Sequence, residues 1–179
     1  MSSLTPDETI LGLLAAEARH GYQLLECFRD PAQLGEVWNL STSQLYAVLK
    51  RLERQGDVIG CQIESDNAPP RTEYTLTPQG RIHLERWLNE VNPSSSIRRV
   101  RVEFLSRLFI ARLLNIPTIP IVVRQKRVCL QQAAALREQR ERAQPGIHFL
   151  AVDLVVTQLD AVLLWIERCE LVPKDWVED

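Results

Sequence analysis

Glycine and histidine are scarce in this chain, and their scarcity excludes most catalytic chemistry. The seven glycines form no glycine-rich loop that could cradle a phosphate, and the three histidines, His20, His83 and His148, stand far from one another and from any nucleophile at motif spacing. The four cysteines, Cys27, Cys61, Cys129 and Cys169, are equally scattered. With no C-x-x-C pair and no histidine at ligand spacing they define neither a zinc site nor a disulfide framework, so they are expected to be reduced, buried thiols. No enzyme, no metal and no cofactor is expected. Long apolar runs are missing too: no stretch approaches the ~20 residues of a membrane span, and the start Met1-Ser-Ser-Leu-Thr-Pro-Asp-Glu8 lacks the basic residues of a secretory signal. The sequence therefore predicts a cytoplasmic protein with no membrane partner.

An excess of positive charge is also absent. Twenty-one Lys and Arg against 23 Asp and Glu give a net charge of -2, which excludes indiscriminate coating of nucleic acid. The distribution is uneven, however. Residues 1–41 carry two Arg against six acids, residues 42–101 carry nine basic residues against seven acids, and residues 102–179 are balanced at ten against ten. A small cationic patch in the middle third is compatible with salt-dependent DNA binding. At 45% hydrophobic residues the chain is globular rather than disordered, and its 179 residues suffice for one extended domain or two small ones.

The most informative stretch is Ser41-Thr-Ser-Gln-Leu-Tyr-Ala-Val-Leu-Lys-Arg-Leu-Glu-Arg-Gln-Gly56. Ser41 and Gln44 form a capping box, Leu45, Val48, Leu49 and Leu52 make one apolar stripe, and Gly56 is positioned to end the helix in a left-handed turn. The opposite face carries Ser43, Tyr46, Ala47, Lys50, Arg51 and Arg54, which suits phosphates and base edges and equally suits a solvated surface helix. The neighbouring elements decide between these.

Upstream, Thr5-Pro-Asp-Glu8 predicts a helix capped by Thr5 with Pro6 in its first turn, followed by the apolar Ile10, Leu11, Leu13 and Leu14. His20-Gly21 reads as a break before a short second helix marked by Tyr22, Leu25 and Phe28. Downstream of Gly56 the period changes to two. Ile59, Cys61 and Ile63 alternate with polar residues, 65–70 supply a turn, and Thr72, Tyr74 and Leu76 alternate again, which predicts a two-stranded hairpin. Thr77-Pro78 then opens a helix containing Leu84, Trp87, Leu88 and Val91. Three helices followed directly by a hairpin is the order of a winged helix-turn-helix, whose third helix enters the major groove and whose hairpin follows the DNA backbone. Arg71 at the hairpin's edge is then placed for a phosphate or a minor groove.

Asn92-Pro-Ser-Ser-Ser96 reads as a linker. Beyond it the sequence predicts helices over about 97–114, 119–143 and 148–171. The last is apolar around most of its circumference, too wide for one small core, which implies a second subunit across a two-fold interface or else a self-contained three-helix bundle. The expected architecture is mainly α with a small β-hairpin. It comprises a winged helix-turn-helix domain over 1–92, a linker over 93–96 and a helical dimerisation domain over 97–179.

The chain resembles the PadR-like family of bacterial transcriptional regulators. The resemblance runs through Ile10-Leu-Gly-Leu-Leu14, His20-Gly-Tyr-Gln-Leu24, Gln44 to Gly56, and Pro70-Arg-Thr-Glu-Tyr-Thr-Leu-Thr-Pro-Gln-Gly80, with a weaker match at Val102 to Phe109. Two positions depart from the family pattern: Ala47 stands where a proline is usual, and Asp57 where an apolar residue is usual. The resemblance implies a homodimer that binds double-stranded DNA at a pseudo-palindromic operator, usually as a repressor, with a small aromatic effector in some relatives. The residues expected at DNA are Ser43, Gln44, Tyr46, Lys50, Arg51, Arg54 and Arg71. Trp165, with Phe104 or Phe109, is the candidate lining for an effector; core packing is the competing role of such aromatics. A winged-helix adaptor that binds protein rather than DNA is the alternative function.

Overall fold

The computed structural model describes residues 4–65 and 68–171. The chain forms two compact units, the first from Met1–Glu90 and Val102–Pro117 and the second from Val91–Arg101 and Thr118–Asp179, each as far as described. The fold is mainly helical with a small antiparallel sheet, as the sequence predicts.

In the first unit, helix α1 spans Asp7–Ala16 with Pro6 in the cap position, one residue out of the expected register. Asp7 and Glu8 lie in its first turn, where the helix dipole favours acids. Arg19–His20 form a short strand β1, where the sequence predicts only a break. It pairs antiparallel with a distant strand, Arg19 opposite Tyr74 and His20 opposite Glu73. Helix α2 (Gly21–Cys27) follows at once, His20 and Gln23 closing its capping box, and then helix α3 (Thr42–Gln55). Strands β2 (Val58–Ser65) and β3 (Ala68–Leu76) form the hairpin, and the sheet order is β1-β3-β2. The expected turn at 65–70 includes residues 66–67, which lie outside the described residues. Helix α4 (Pro78–Leu88) starts as predicted, the Thr77 hydroxyl accepting the Gly80 N–H at 3.0 Å. It ends before Val91, which is exposed rather than part of its buried face.

The helical segment expected over 97–114 is interrupted. A three-residue helix α5 (Ile97–Arg99) leads into a π-helical turn, Val100–Phe104, before helix α6 (Leu105–Leu113). The chain leaves the first unit after Glu90, a few residues before the expected linker at 93–96, and returns to it inside this segment, between Arg101 and Val102. From there the chain is part of the first unit's core. Phe104 and Ile110 are fully buried, the Trp38 indole N–H donates to the Ser106 hydroxyl at 2.8 Å, and the Arg107 guanidinium lies 4.9 Å from the Trp87 ring. Gly12 of α1 faces Ile110 so closely that a Cβ there would lie 2.7 Å from its terminal methyl.

In the second unit α7 (Ile119–Arg142) and α8 (Ile147–Leu171) pack together. Cys129 and Ala133 of α7 and Val156, Leu159 and Ile166 of α8 are buried, while Arg140 pairs with Asp153 at 3.0 Å and Arg137 with Asp160. Leu154 and Leu164, at 58% and 64% exposure, leave an apolar face of α8 uncovered. By length and composition Ile147–Cys169 is apolar enough to cross a membrane, which corrects the expectation that no stretch approaches a span. The two aspartates within it are ion-paired to α7. The cysteine expectation is corrected at two residues: Cys27 and Cys129 are buried, whereas Cys61 on β2 is exposed and Cys169 on α8 is half-buried.

Candidate nucleic-acid interface

Helix α3 is fixed at both ends by its own sequence. The Ser41 hydroxyl accepts the Gln44 N–H at 3.3 Å and the Gln44 carboxamide oxygen accepts the Ser41 N–H at 2.9 Å. At the other end Gly56 is left-handed (φ 78°), where a side chain would be strained. Leu45, Val48, Leu49 and Leu52 are buried, which turns Ser43, Tyr46, Ala47, Lys50 and Arg54 outward. That exposed row offers a hydroxyl, a phenol and two cations along successive turns.

The seven residues expected at DNA do not all share that availability. Ser43, Lys50 and Arg54 are exposed, with Arg54 Nε 3.4 Å from the Lys50 carbonyl one turn back. Tyr46 is 46% exposed, and its hydroxyl end rests on α2, where a Cβ at Gly21 would come within 2.7 Å of it. Gln44 is exposed, but its acceptor oxygen holds the cap. A bidentate contact to adenine needs both the oxygen and the amide, so reading a base would cost the helix its capping box. Arg51 is committed elsewhere. It forms a two-pronged pair with Asp7 of α1, Nε to Oδ1 at 2.9 Å and Nη2 to Oδ2 at 2.6 Å, and this pairing raises its already high pKa further. Arg51 thus ties the first and third helices together, a role that competes with the phosphate contact expected of it.

Asp57 is only 4% exposed. A carboxylate needs partners at such a site, and Nδ1 of His83 on α4 lies 3.0 Å from it while the Asp57 carbonyl accepts the Thr77 N–H at 3.0 Å. Asp57 thus joins the end of α3 to α4 and fixes where the hairpin begins. Nε2 of the same histidine lies 3.7 Å from Glu8, whose pKa is raised because burial disfavours its charge.

Arg71, on β3 opposite Ile63, is exposed with its guanidinium 5.6 Å from the centroid of the Tyr22 ring. The sequence marks Tyr22 only as an apolar position of the second helix, yet it is 45% exposed. Its one sequence signal is its position directly after Gly21, the residue that lets Tyr46 approach. Of the effector candidates, Phe104 is fully buried within the first unit, Phe109 is half-buried on α6, and Trp165 is half-buried on α8 of the second. None of the three lines the shallow hollow formed by residues such as Ala135, Arg142 and His148 near the turn between α7 and α8.

Three helices, a wing that follows the third, and an exposed row of hydrogen-bonding and cationic side chains on that third helix define a winged helix-turn-helix protein. Residues 10–86 match the transcriptional regulator PadR-like family. The chain is 30% identical over 100 residues to the negative transcriptional regulator PadR of Bacillus subtilis, covering 56% of this chain and 53% of that protein. It is 28% identical over 81 residues to a probable transcriptional regulator of Mycobacterium tuberculosis, covering 45% and 42% respectively. The matched sequence thus spans about half the length of these relatives. Among solved structures, Bacillus subtilis PadR in complex with operator DNA is similar at 22% identity and a TM-score of 0.47, over 91% of this chain and 94% of that one.

Proposed function

We propose that this protein is a sequence-specific, homodimeric DNA-binding regulator acting in the cytoplasm as a transcriptional repressor. The first unit is its DNA-binding part and α8 its dimer contact. The observation that carries the reading is the exposed face of α3, with Ser43, Tyr46 and Lys50 directed away from a fully buried leucine and valine stripe and followed immediately by a wing bearing Arg71. Two copies would present their α3 helices to successive major grooves about 34 Å apart, so the matching operator is a pseudo-palindrome. Lys50, Arg54 and Arg71 serve phosphates, while Ser43 and Tyr46 are the base-reading candidates. The uncovered apolar face of α8 is the surface a second copy would bury.

A gel-shift titration at two salt concentrations, on duplex from just upstream of the protein's own coding region and on unrelated duplex, tests this. Lys50→Ala and Arg71→Ala should weaken binding to both duplexes and flatten the salt dependence, whereas Tyr46→Ala should cost more on the specific duplex. Binding that none of the three substitutions changes would refute the reading and favour a protein-binding adaptor. A small planar aromatic effector belongs to the same proposal. Quenching of fluorescence by such compounds in wild-type protein, lost in Trp165→Phe, would support it, and a signal unmoved by a broad panel of planar aromatics would count against it.

A further inference from the structure

His20, Tyr22 and Arg71 come from three different elements and form one stack. The His20 and Tyr22 rings are nearly parallel, at 9° with centroids 5.8 Å apart, and the Arg71 guanidinium lies 5.6 Å from the Tyr22 centroid. His20 is held from two directions. Its backbone is a rung of the sheet opposite Glu73 and its N–H donates to the Gln23 side chain at 2.8 Å, while Nδ1 of its ring lies 3.2 Å from the carbonyl of Thr72, the residue after Arg71. The stack therefore has a rigid floor. Tyr22 sits between that floor and a cation on the wing, with almost half its surface in solvent.

The stack adjoins the recognition face. Gly21, next to Tyr22, is the residue on which the Tyr46 hydroxyl rests. Two exposed tyrosines, one from α3 and one from α2, thus flank a single glycine, and the surface from Lys50 through Tyr46 to Tyr22 ends at Arg71. An arginine on a wing has many rotamers, and ordering it at a phosphate opposes binding. A guanidinium already resting on an aromatic face has given up part of that freedom and keeps its planar fork for a phosphate.

Resting on the DNA-binding reading above, we infer that Tyr22 is a positioning residue for DNA: its ring, braced by His20, holds the Arg71 guanidinium at the end of the surface that α3 presents. Tyr22 acts through Arg71, and the aromatic face rather than the phenolic hydroxyl carries the effect.

The test is a double-mutant cycle in the full-length protein, read by fluorescence anisotropy on the duplex that the wild-type protein selects from a random-sequence pool. Tyr22→Leu should weaken binding about two- to fivefold, the affinity equivalent of one exposed cation–π contact. Tyr22→Phe should bind like wild type, and Tyr22→Leu should have no further effect in the Arg71→Ala background. Melting temperatures of the variants identify any folding defect, and Tyr22→Gln, which keeps bulk and polarity without a π-face, repeats the measurement should Tyr22→Leu fold poorly. An equal loss from Tyr22→Leu with and without Arg71, or a loss in Tyr22→Phe matching that in Tyr22→Leu, overturns the inference while leaving DNA binding intact. A wild-type protein that selects no duplex overturns the DNA-binding reading itself.

Discussion

Replacing Arg51 by Gln separates two roles that the sequence could not distinguish. If its guanidinium serves the fold, the substitution leaves the Asp7 carboxylate, whose side chain is 13% exposed, without its two-pronged partner. Removing one member of a buried pair costs about 3–5 kcal/mol, but the Arg51 side chain is 34% exposed and Asp7 keeps the favourable dipole of the first turn of α1, so a loss of about 2 kcal/mol is expected. For a unit of this size that corresponds to a fall in Tm of roughly 10 °C. Thermal melts followed by circular dichroism give that number. The same protein is then titrated with duplex DNA over a range of salt, where each phosphate that is no longer neutralised lowers the log–log slope by about 0.9. Arg51→Gln should lower Tm and leave the slope unchanged; Lys50→Gln should do the reverse. Asp7→Asn combined with Arg51→Gln should destabilise by clearly less than the sum of the two single changes. An unaltered Tm with a reduced slope in Arg51→Gln would refute the structural role and return Arg51 to the DNA.

Four other outcomes follow from the packing and the charges. Gly12→Ala should destabilise by about 1–3 kcal/mol, because the stiff β-branched Ile110 cannot yield easily and overpacking exceeds the helix propensity gained; Ile110→Ala in the same protein should recover part of the loss in urea melts. Glu8 has a pKa raised above its ordinary 4.5 by burial, so the folded state holds its proton more tightly and the associated stability, full below pH 4.5, is lost as pH rises through the folded value. Glu8→Gln should therefore gain stability over wild type at pH 7 and none near pH 4, as measured by denaturant melts at both. A fragment ending at residue 92 should lack a cooperative transition while one ending at 117 should melt as a unit, since burying Phe104, Ile110 and their neighbours is worth roughly 1.5–3 kcal/mol per side chain. If α8 forms the dimer contact proposed above, Leu164→Glu should shift the protein from dimer to monomer in sedimentation experiments by putting a charge on its uncovered face; an unchanged mass would exclude that face as the contact.

How much of the fold and the interface is legible in the sequence depends on the distance over which each residue acts. The capping box at Ser41, the left-handed stop at Gly56 and the Thr77 cap of α4 are local, and their residues declare them. The buried stripe of α3 is likewise a matter of period. What periodicity reports is which face is covered, not what covers it. Arg51 and Arg54 look alike in sequence, yet one meets an aspartate 44 residues upstream and the other remains at the surface. Strand β1 is illegible because two residues before a glycine carry no alternation and gain their pairing only from β3. The competition between helix and DNA for Gln44 is legible, and its oxygen is held by the helix. Tyr22 is hidden by its own hydrophobicity, since an aromatic at helical spacing reads as core. The split of the 97–114 segment between two units is invisible because the π-helical turn that divides it has no composition of its own.

That split has a consequence for the order in which the protein is made. The first ninety or so residues contain the exposed face of α3 and the whole wing, but the side chains that close over Gly12 and Trp38 belong to residues 104–111. A nascent chain that has just emitted its hairpin therefore carries an open apolar patch on α1, and it keeps that patch until α6 has cleared the ribosome. Folding cannot proceed strictly from the N-terminus as it does when domains are laid end to end. Synthesis interrupted between the wing and α6 would yield an aggregation-prone product instead of a small folded domain.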